Sequence, residues 1–472
     1  MGNKIHAEVL SELGSALAPE RVLTAEADRW SYSYDASFGV YPPECVVQPI
    51  STEEVVALVR IACKHNIPLY PRGAGSCLSG GPLPVYGGIA VDLTHLNQTL
   101  EIFADDLVAV VSPGVKTGDI QKAAERYGLF YPPDPSSSGI STIGGNIAEN
   151  SGGPRGLKYG VTRDYVLGLE VVTPEGSVLR TGGRTVKNVT GYDLTRLIIG
   201  SEGTLGIVTK AVLRLLPKPQ ARRTMLAVFS DLVQSGRAIS KVLTSGILPC
   251  AIEIIDQACL RAVEAFRPGG LPIDAEAVLL VEVDGHPAAV EEEILQVAEI
   301  CRQLGSVHVE IAKDEQTRER LWFARKQISP AIARIKPTKI SEDATVPRSQ
   351  IPAMFARLKQ IREKYAIDLV VFGHAGDGNL HPNILCDMRN QEEMQRVEQA
   401  VSEIFQAALE LGGTLSGEHG IGTMKAPFLS WEVGEVGIDM MKRIKTAWDP
   451  LSIMNPGKIF PEPGNDRLVL RQ

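Results

Sequence analysis

Eight histidines occur in 472 residues, and three of them fall in two short stretches. The first stretch is Phe372-Gly373-His374-Ala375-Gly376-Asp377-Gly378-Asn379-Leu380-His381-Pro382-Asn383; the second is Gly417-Glu418-His419-Gly420. Imidazole nitrogens suit transition metals such as zinc, iron and copper. Asp377-Gly378 lies between two apolar runs. That is a strong hairpin signal, because a type I′ turn needs positive φ at both central residues. With those two residues as the loop, Gly376 faces Asn379, Ala375 faces Leu380 and His374 faces His381. Directly opposed Cβ atoms lie about 4.5–5.5 Å apart, close enough for two imidazoles to share one ion. Residues two apart share a strand face, which places Asn383 beside His381. Glu418 offers a carboxylate ligand and His419 a further histidine. The alternative is a polar hairpin with two exposed histidines.

Several elements must position these groups. A helix is expected over 391–411, ended by Gly412-Gly413 as C′ glycines do. Thr414-Leu415-Ser416 then reads as a strand that reaches Glu418 and His419. Neighbours on a regular strand point to opposite faces, so both face one site only if the strand ends there, which Gly417, Gly420 and Gly422 allow. Upstream, 315–335 reads as a long helix carrying Trp322, Arg325 and Ser329, and 346–367 as a strand and helix. Residues 220–310 alternate strands and helices: 225–229, 230–243, 251–255, 277–283 and 290–304. That β-α-β-β-α-β order is ferredoxin-like and implies an antiparallel sheet. A last helix is expected over 436–448.

The first half of the chain carries glycine loops instead. Helices are expected over 7–17 and 51–65, with Thr52-Glu53-Glu54 placing negative charge where the dipole favours it. A strand at 68–71 feeds Arg72-Gly73-Ala74-Gly75-Ser76-Cys77-Leu78-Ser79-Gly80-Gly81. Successive backbone N–H groups in such a turn form a concave nest for phosphate oxygens. Gly-Lys-Ser/Thr is missing, and Pro82-Leu83-Pro84 blocks the helix that a dinucleotide fingerprint requires. The stretch 132–153 is too rich in turn formers for a regular element. Its small donors suit a large, mostly neutral cofactor, and Ile140, Ile143 and Ile147 argue against a disordered linker. Strand 169–173 and the turn Pro174-Glu175-Gly176 open a hairpin.

The totals limit what such sites serve. Length suggests two or three domains. Hydrophobic content of 44% and charged content of 22% are those of a soluble globular protein. A net charge of −8 argues against nucleic acid and anionic lipid as partners. No apolar run approaches a membrane span. Met1 to His6 lacks a secretory h-region, and His6 stands where a myristoylation signal wants Ser or Thr. Seven cysteines without Cys-x-x-Cys fit a reducing compartment, the cytoplasm, and no iron–sulfur cluster on this chain.

Arg72-Gly73-x-Gly75, Ile143-Gly144-Gly145-Asn146, Gly191-Tyr192-Asp193 and Gly200-Ser201-Glu202-Gly203-Thr204-Leu205-Gly206 resemble, in order and spacing, the FAD-binding domain of the vanillyl-alcohol oxidase flavoproteins. The match covers about 45–217. It implies an α+β fold of two subdomains clamping an extended FAD, with the pyrophosphate in the first glycine loop. The cofactor contacts it implies are Arg72, Gly73, Ala74, Gly75, Ser76 and Gly80 in that loop, then Pro133, Asp134, Thr142, Gly145, Asn146, Asn150, Gly152 and Gly153, and later Glu202, Gly206 and Ile207. Some relatives attach flavin through a histidine in the first loop. Ser76 stands there, so noncovalent FAD is expected, with Cys77 a small packed side chain.

The histidine stretches resemble the FAD-linked D-2-hydroxy acid dehydrogenases within that superfamily: D-lactate and D-2-hydroxyglutarate dehydrogenases and the flavin subunit of bacterial glycolate oxidase. This resemblance implies a divalent metal (zinc, manganese or iron) on His374, His381 and Glu418, His419 as base, and Arg325 and Asn383 binding substrate. It implies an FAD-binding domain at 1–217, a substrate domain with the metal site at 218–430, and a segment at 431–472 returning to the FAD domain. An iron–sulfur or second flavin subunit, or an electron-transfer flavoprotein, is the implied electron acceptor. The chemistry fits independently. A divalent ion lowers the hydroxyl pKa, a neutral histidine accepts the proton near pH 7, and an arginine fork orients the carboxylate. A surface salt bridge is the alternative role for Arg325. Lys339 is a weaker candidate for a second carboxylate, with Ser329 one turn beyond Arg325. Lys339-Ile340-Ser341-Glu342-Asp343 departs from the hydroxyglutarate spacing, which favours lactate or glycolate. Readings from other classes are a metal-free alkyl-glycerone-phosphate synthase-like transferase and a subunit serving electron delivery.

Overall fold

The computed structural model describes residues 5–461; the readings of Met1–Lys4 and of the end of 431–472 lie outside them. The chain divides into two compact units: Met1–Ser151, Val161–Lys218 and Glu418–Gln472 in the first, Gly152–Gly160 and Pro219–Gly417 in the second. Re-entry into the first unit therefore comes at Glu418, earlier than the expected 431, and 152–160 departs from the expected FAD-binding span. The excursion is anchored by ionic contacts within the second unit. Lys158 Nζ lies 2.5 Å from Asp284 Oδ1, and the Tyr159 hydroxyl donates to Oδ2 at 2.7 Å. Among the described residues no helix is long and apolar enough to cross a membrane.

In the first unit, helix Ala7–Leu17 and helix Thr52–His65 bury Val9, Leu13, Leu17, Val55, Leu58, Val59 and Ala62. Ser51 caps the latter, its hydroxyl accepting from Glu54 N, which relieves one of the unpaired N–H groups of the first turn. They pack with a four-stranded sheet ordered Val22–Leu23, Cys45–Val47, Ile89–Asp92, Leu69–Arg72. A second, antiparallel sheet runs Leu100–Phe103, Val108–Val111, Ile207–Arg214, Val166–Val172, Val178–Gly182. Residues 132–153 are less irregular than their composition suggests. Ile143–Glu149 is a helix, capped by Thr142 and buried through Ile143, Asn146 and Ile147. Packing of Ile143 and Ile147 outweighs the helix cost of Gly144 and Gly145.

The second unit is one large antiparallel sheet: Ser306–Ile311, Ala221–Phe229, Ala277–Gly285, Ala251–Asp256, Asp368–His374, Asn379–Cys386, Thr338–Ser341, with Ala344–Thr345 also on Asn379–Cys386. Its first four strands have the ferredoxin-like order. The element sequence corrects the expected β-α-β-β-α-β, because a helix, Gln257–Phe266, stands between the second and third strands. Asp256 caps it by accepting from Cys259 N, and Cys259, Leu260, Ala262 and Val263 form its buried stripe. Six of the seven residues of Asp368–His374, and all eight of Asn379–Cys386, are buried. The histidine hairpin therefore supplies the fifth and sixth of the seven strands, inside the sheet and covered on both faces. The expected strand at 414–416 reduces to a single bridge, Thr345 with Thr414.

Candidate active site

The hairpin register differs from the two-residue turn. His374 pairs with Asn379, Gly373 with Leu380, and Phe372 with His381. The loop is Ala375-Gly376-Asp377-Gly378, four residues long. It is held because Gly376 N donates to Ile252 O on the neighbouring strand at 2.9 Å and Ala375 is fully buried. Gly378 has φ +91°, and a Cβ there would lie 2.1 Å from the Val346 carbonyl oxygen, so glycine is required. The displacement from the expected register is two residues. An even shift keeps every side chain on its face, so the histidines still converge, now diagonally: their rings lie 4.9 Å apart and nearly perpendicular. His374 is 2% exposed and His381 5%, which rules out the exposed polar hairpin.

A residue absent from the sequence expectations completes this cluster. Glu253, on Ala251–Asp256, is fully buried, and both its oxygens are engaged. Oε1 lies 2.7 Å from His374 Nδ1, and Oε2 accepts from Arg325 Nε at 2.6 Å. Burial pushes the Glu253 carboxyl up, but the adjacent His374 and Arg325 outweigh it and hold the group below its ordinary value. Arg325 is 9% exposed and stacks over Phe372, 4.8 Å from guanidinium carbon to ring centroid. The surface role considered for it is thereby excluded. Phe372 in turn lies 5.5 Å from the His381 ring. Asn383 is fully buried, its Nδ2 donating to His381 O and its Oδ1 without a protein partner. Lys339 Nζ donates to Ser329 Oγ at 2.9 Å, and burial lowers its ammonium.

These residues fit a divalent ion. A carboxylate against Nδ1 selects the tautomer with hydrogen on Nδ1 and the lone pair on Nε2, the usual arrangement behind metal-ligating histidines. Gly417 closes the second unit against this cluster: a Cβ on it would meet Thr345 Oγ1 at 2.2 Å and Asn379 Nδ2 at 2.8 Å. Glu418 and His419, both half-buried, are the next two residues.

The first unit carries the glycine loop. Arg72 ends strand Leu69–Arg72 and is buried, with Nη1 lacking a protein partner. Gly75 (φ +71°) has no room for a Cβ, which would fall 2.1 Å from Arg72 Nη2; the obstacle is that guanidinium, not only a phosphate's place. At Gly73 a Cβ would be 2.4 Å from Thr142 Oγ1, and at Gly80 2.3 Å from Thr423 Oγ1. The loop thus abuts Thr142, the cap of Ile143–Glu149, which accepts from Gly145 N. Ser141 Oγ, beside Thr142, is buried without a protein partner, as is the Tyr131 hydroxyl near Pro133 and Asp134 in sequence. A buried cationic nitrogen beside a glycine-lined turn, with unpartnered buried hydroxyls on Ser141 and Tyr131, fits an anionic, polar cofactor such as FAD. Ala74 is exposed and Ser76 half-buried.

Other expected cofactor contacts have internal partners. Asn146 Nδ2 donates to Thr117 Oγ1, and Asn150, in a left-handed cap, accepts from Arg163 N. Glu202 accepts from Ile421 N and Gly422 N at 2.8 and 2.7 Å. Gly206 (φ +145°) passes too close to the Val172 carbonyl oxygen for a side chain, and Ile207 opens a core strand. Gly152 and Gly153 belong to the second unit. Cys77 has a partner beyond simple packing: its thiol contacts Glu149 Oε1 at 3.3 Å. Burial, then Glu149 and Asp35, push that thiol well up; burial and Glu202 push Glu149 up as well. A thiol held well above its ordinary value stays protonated near neutral pH, so Cys77 is not a reactive thiolate.

Comparisons extend this reading. Residues 218–459 match the model of the C-terminal domain of FAD linked oxidases, and 43–182 that of an FAD binding domain. The chain is 49% identical over 463 residues to glycolate oxidase subunit GlcD of Bacillus subtilis (strain 168), covering 98% of each. It is 33% identical to a D-lactate dehydrogenase of Anaerostipes hadrus, covering 97% of this chain and 98% of that one. Among solved structures, 4-ethylphenol oxidase from Gulosibacter chungangensis superposes with a TM-score of 0.79 at 22% identity, covering 98% and 99% of the two chains, a likeness of fold.

Proposed function

The chain belongs to the FAD-linked oxidases, and on that premise we propose that it oxidises a small D-2-hydroxy acid, glycolate or D-lactate, to the 2-oxo acid. The carrying observation is the buried run His374–Glu253–Arg325, which puts a metal-type histidine and a carboxylate-binding arginine on one carboxylate. In this reading FAD is noncovalent and bound in the first unit, and His374, His381 and Glu418 hold one zinc, manganese or iron ion. Gly417 lies against Asn379, the partner of His374, and consecutive Cα atoms are about 3.8 Å apart, which supports Glu418 as third ligand. When bound, FAD supplies a two-electron acceptor, and the ion supplies the charge that lowers a hydroxyl pKa.

The chain's own residues do the rest. Arg325 has both terminal nitrogens beyond its bond to Glu253, and these clamp the substrate carboxylate. Asn383 Oδ1 accepts a substrate hydrogen. His419 takes the hydroxyl proton, as a neutral imidazole suits near pH 7. The relative's designation as a subunit supports a partner subunit; in this reading an iron–sulfur or second flavin subunit, or an electron-transfer flavoprotein, accepts the electrons. Seven free thiols support a cytoplasmic site. A second reading, D-2-hydroxyglutarate, is favoured by Lys339, held on Ser329 one turn beyond Arg325 where a second carboxylate needs a cation. Steady-state assays of the purified chain with glycolate, D-lactate and D-2-hydroxyglutarate and a dye acceptor separate them. Turnover of the monocarboxylates is expected; turnover of none overturns the proposal.

A further inference from the structure

We propose that Glu253 is a positioning residue serving both halves of the site: its carboxylate sets the tautomer of His374 for metal binding and fixes the guanidinium of Arg325 for substrate. This rests on the metal and substrate reading above. Glu253 lies on the strand next to His374. Ile254 pairs with Gly373 and Ile255 with Phe372, so extending that register by one residue brings Glu253 level with His374. It is fully buried in a run that is otherwise apolar until Asp256, Ala251-Ile252-Glu253-Ile254-Ile255. A buried carboxylate is costly unless paired and hydrogen-bonded, and each oxygen here has one partner, at 2.7 and 2.6 Å. The geometry is specific. An acceptor facing Nδ1 requires the proton there, and only then is Nε2 a lone-pair donor. Arg325 is bound through Nε, so the terminal nitrogens keep a fixed direction over Phe372.

Glutamine is the informative replacement, being nearly isosteric. It has one acceptor oxygen where two donors must be met, His374 Nδ1–H and Arg325 Nε–H. If the amide nitrogen turns to His374 it demands the opposite tautomer, with hydrogen on Nε2; if it turns to Arg325 it meets a donor. Either way one half of the site is lost.

The test uses the full-length, FAD-loaded chain. Zinc affinity is measured by competition with a chelator for wild type and Glu253→Gln, and KM and kcat are measured at saturating zinc. We expect either zinc affinity to fall about 10–100-fold, as for other outer partners of metal-binding histidines, or KM to rise, according to which partner the amide oxygen keeps, with FAD content unchanged. Wild-type zinc affinity together with wild-type KM in Glu253→Gln overturns the proposal. A wild-type chain that binds no stoichiometric zinc, manganese or iron overturns the metal reading itself, a distinct result. Should the variant fail to fold, the wild type decides. Long-range proton–nitrogen spectra of histidine-labelled, metal-free chain should show His374, assigned by its absence in His374→Gln, carrying its proton on Nδ1. A proton on Nε2 overturns the proposal.

Discussion

Replacing Arg325 separates what this residue does for the fold from what it does for substrate. The guanidinium is 9% exposed, donates through Nε to a fully buried carboxylate at 2.6 Å, and stacks on Phe372 at 4.8 Å. Arg325→Met removes the charge and leaves Glu253 buried beside one imidazole. Breaking a buried pair in this way costs about 3–5 kcal/mol. For a domain of this size that lowers Tm by about 6–20 °C. Arg325→Lys keeps a cation near Glu253, so most of that loss is avoided. Lysine is a point charge and cannot hold Glu253 and a substrate carboxylate with separate nitrogens in one plane. We expect kcat/KM to fall at least tenfold, about 1.4 kcal/mol, while thermal stability changes little. The assay is steady-state kinetics with glycolate and D-lactate beside calorimetry on the same preparations. Unchanged kinetics in Arg325→Lys would refute a substrate role. Unchanged Tm in Arg325→Met would refute the buried pair.

Other consequences can be measured directly. Acid precipitation should release the yellow chromophore into the supernatant, since Ser76 offers no attachment; flavin in the pellet contradicts this. Gly75→Leu should give colourless protein, because its side chain would displace the Arg72 guanidinium. His381→Ala should lose metal and turnover together, whereas His419→Ala should keep metal and lose about 10²–10⁴ in rate if it is the base. Lys458 supplies a pH test. Burial pushes its ammonium down to about 7, against the pull of Glu202, Asp35 and Cys77. The unfolded lysine, at about 10.4, binds more protons between those values, so stability rises with pH there by up to about 1.4 kcal/mol per unit and is level below 7. The difference in urea stability between wild type and Lys458→Met should therefore grow in favour of wild type from pH 7 to 9.5. A pH-independent difference contradicts it.

Much of the site was legible because its chemical groups cluster along the chain. His374, His381 and Asn383 lie within one hairpin, and the convergence of the histidines survived a wrong turn length because the error was even. The turn itself was misread for a tertiary reason: Ala375 and Gly376 dock on Ile252, a contact that a hairpin rule does not contain. Glu253 was not legible as a partner, since 121 residues separate it from His374. Its only local signal was a charge within an apolar strand. Helix Gln257–Phe266 has a readable cap in Asp256 and a readable stripe in Cys259, Leu260, Ala262 and Val263. Helix Ile143–Glu149 was hidden by its glycines, whose helix cost is met by burial of Ile143 and Ile147. The change of unit at Glu418 had no compositional mark, because glycines bracket that stretch on both sides.

In the proposed reaction, flavin reduction depends on the bound metal. Mixing the FAD-loaded chain anaerobically with glycolate or D-lactate, before and after metal removal, reads both in one experiment. The flavin's visible absorbance should bleach only in the metal-loaded protein and return to that behaviour when zinc, manganese or iron is restored. Full bleaching at an undiminished rate in protein stripped of metal would contradict the central claim.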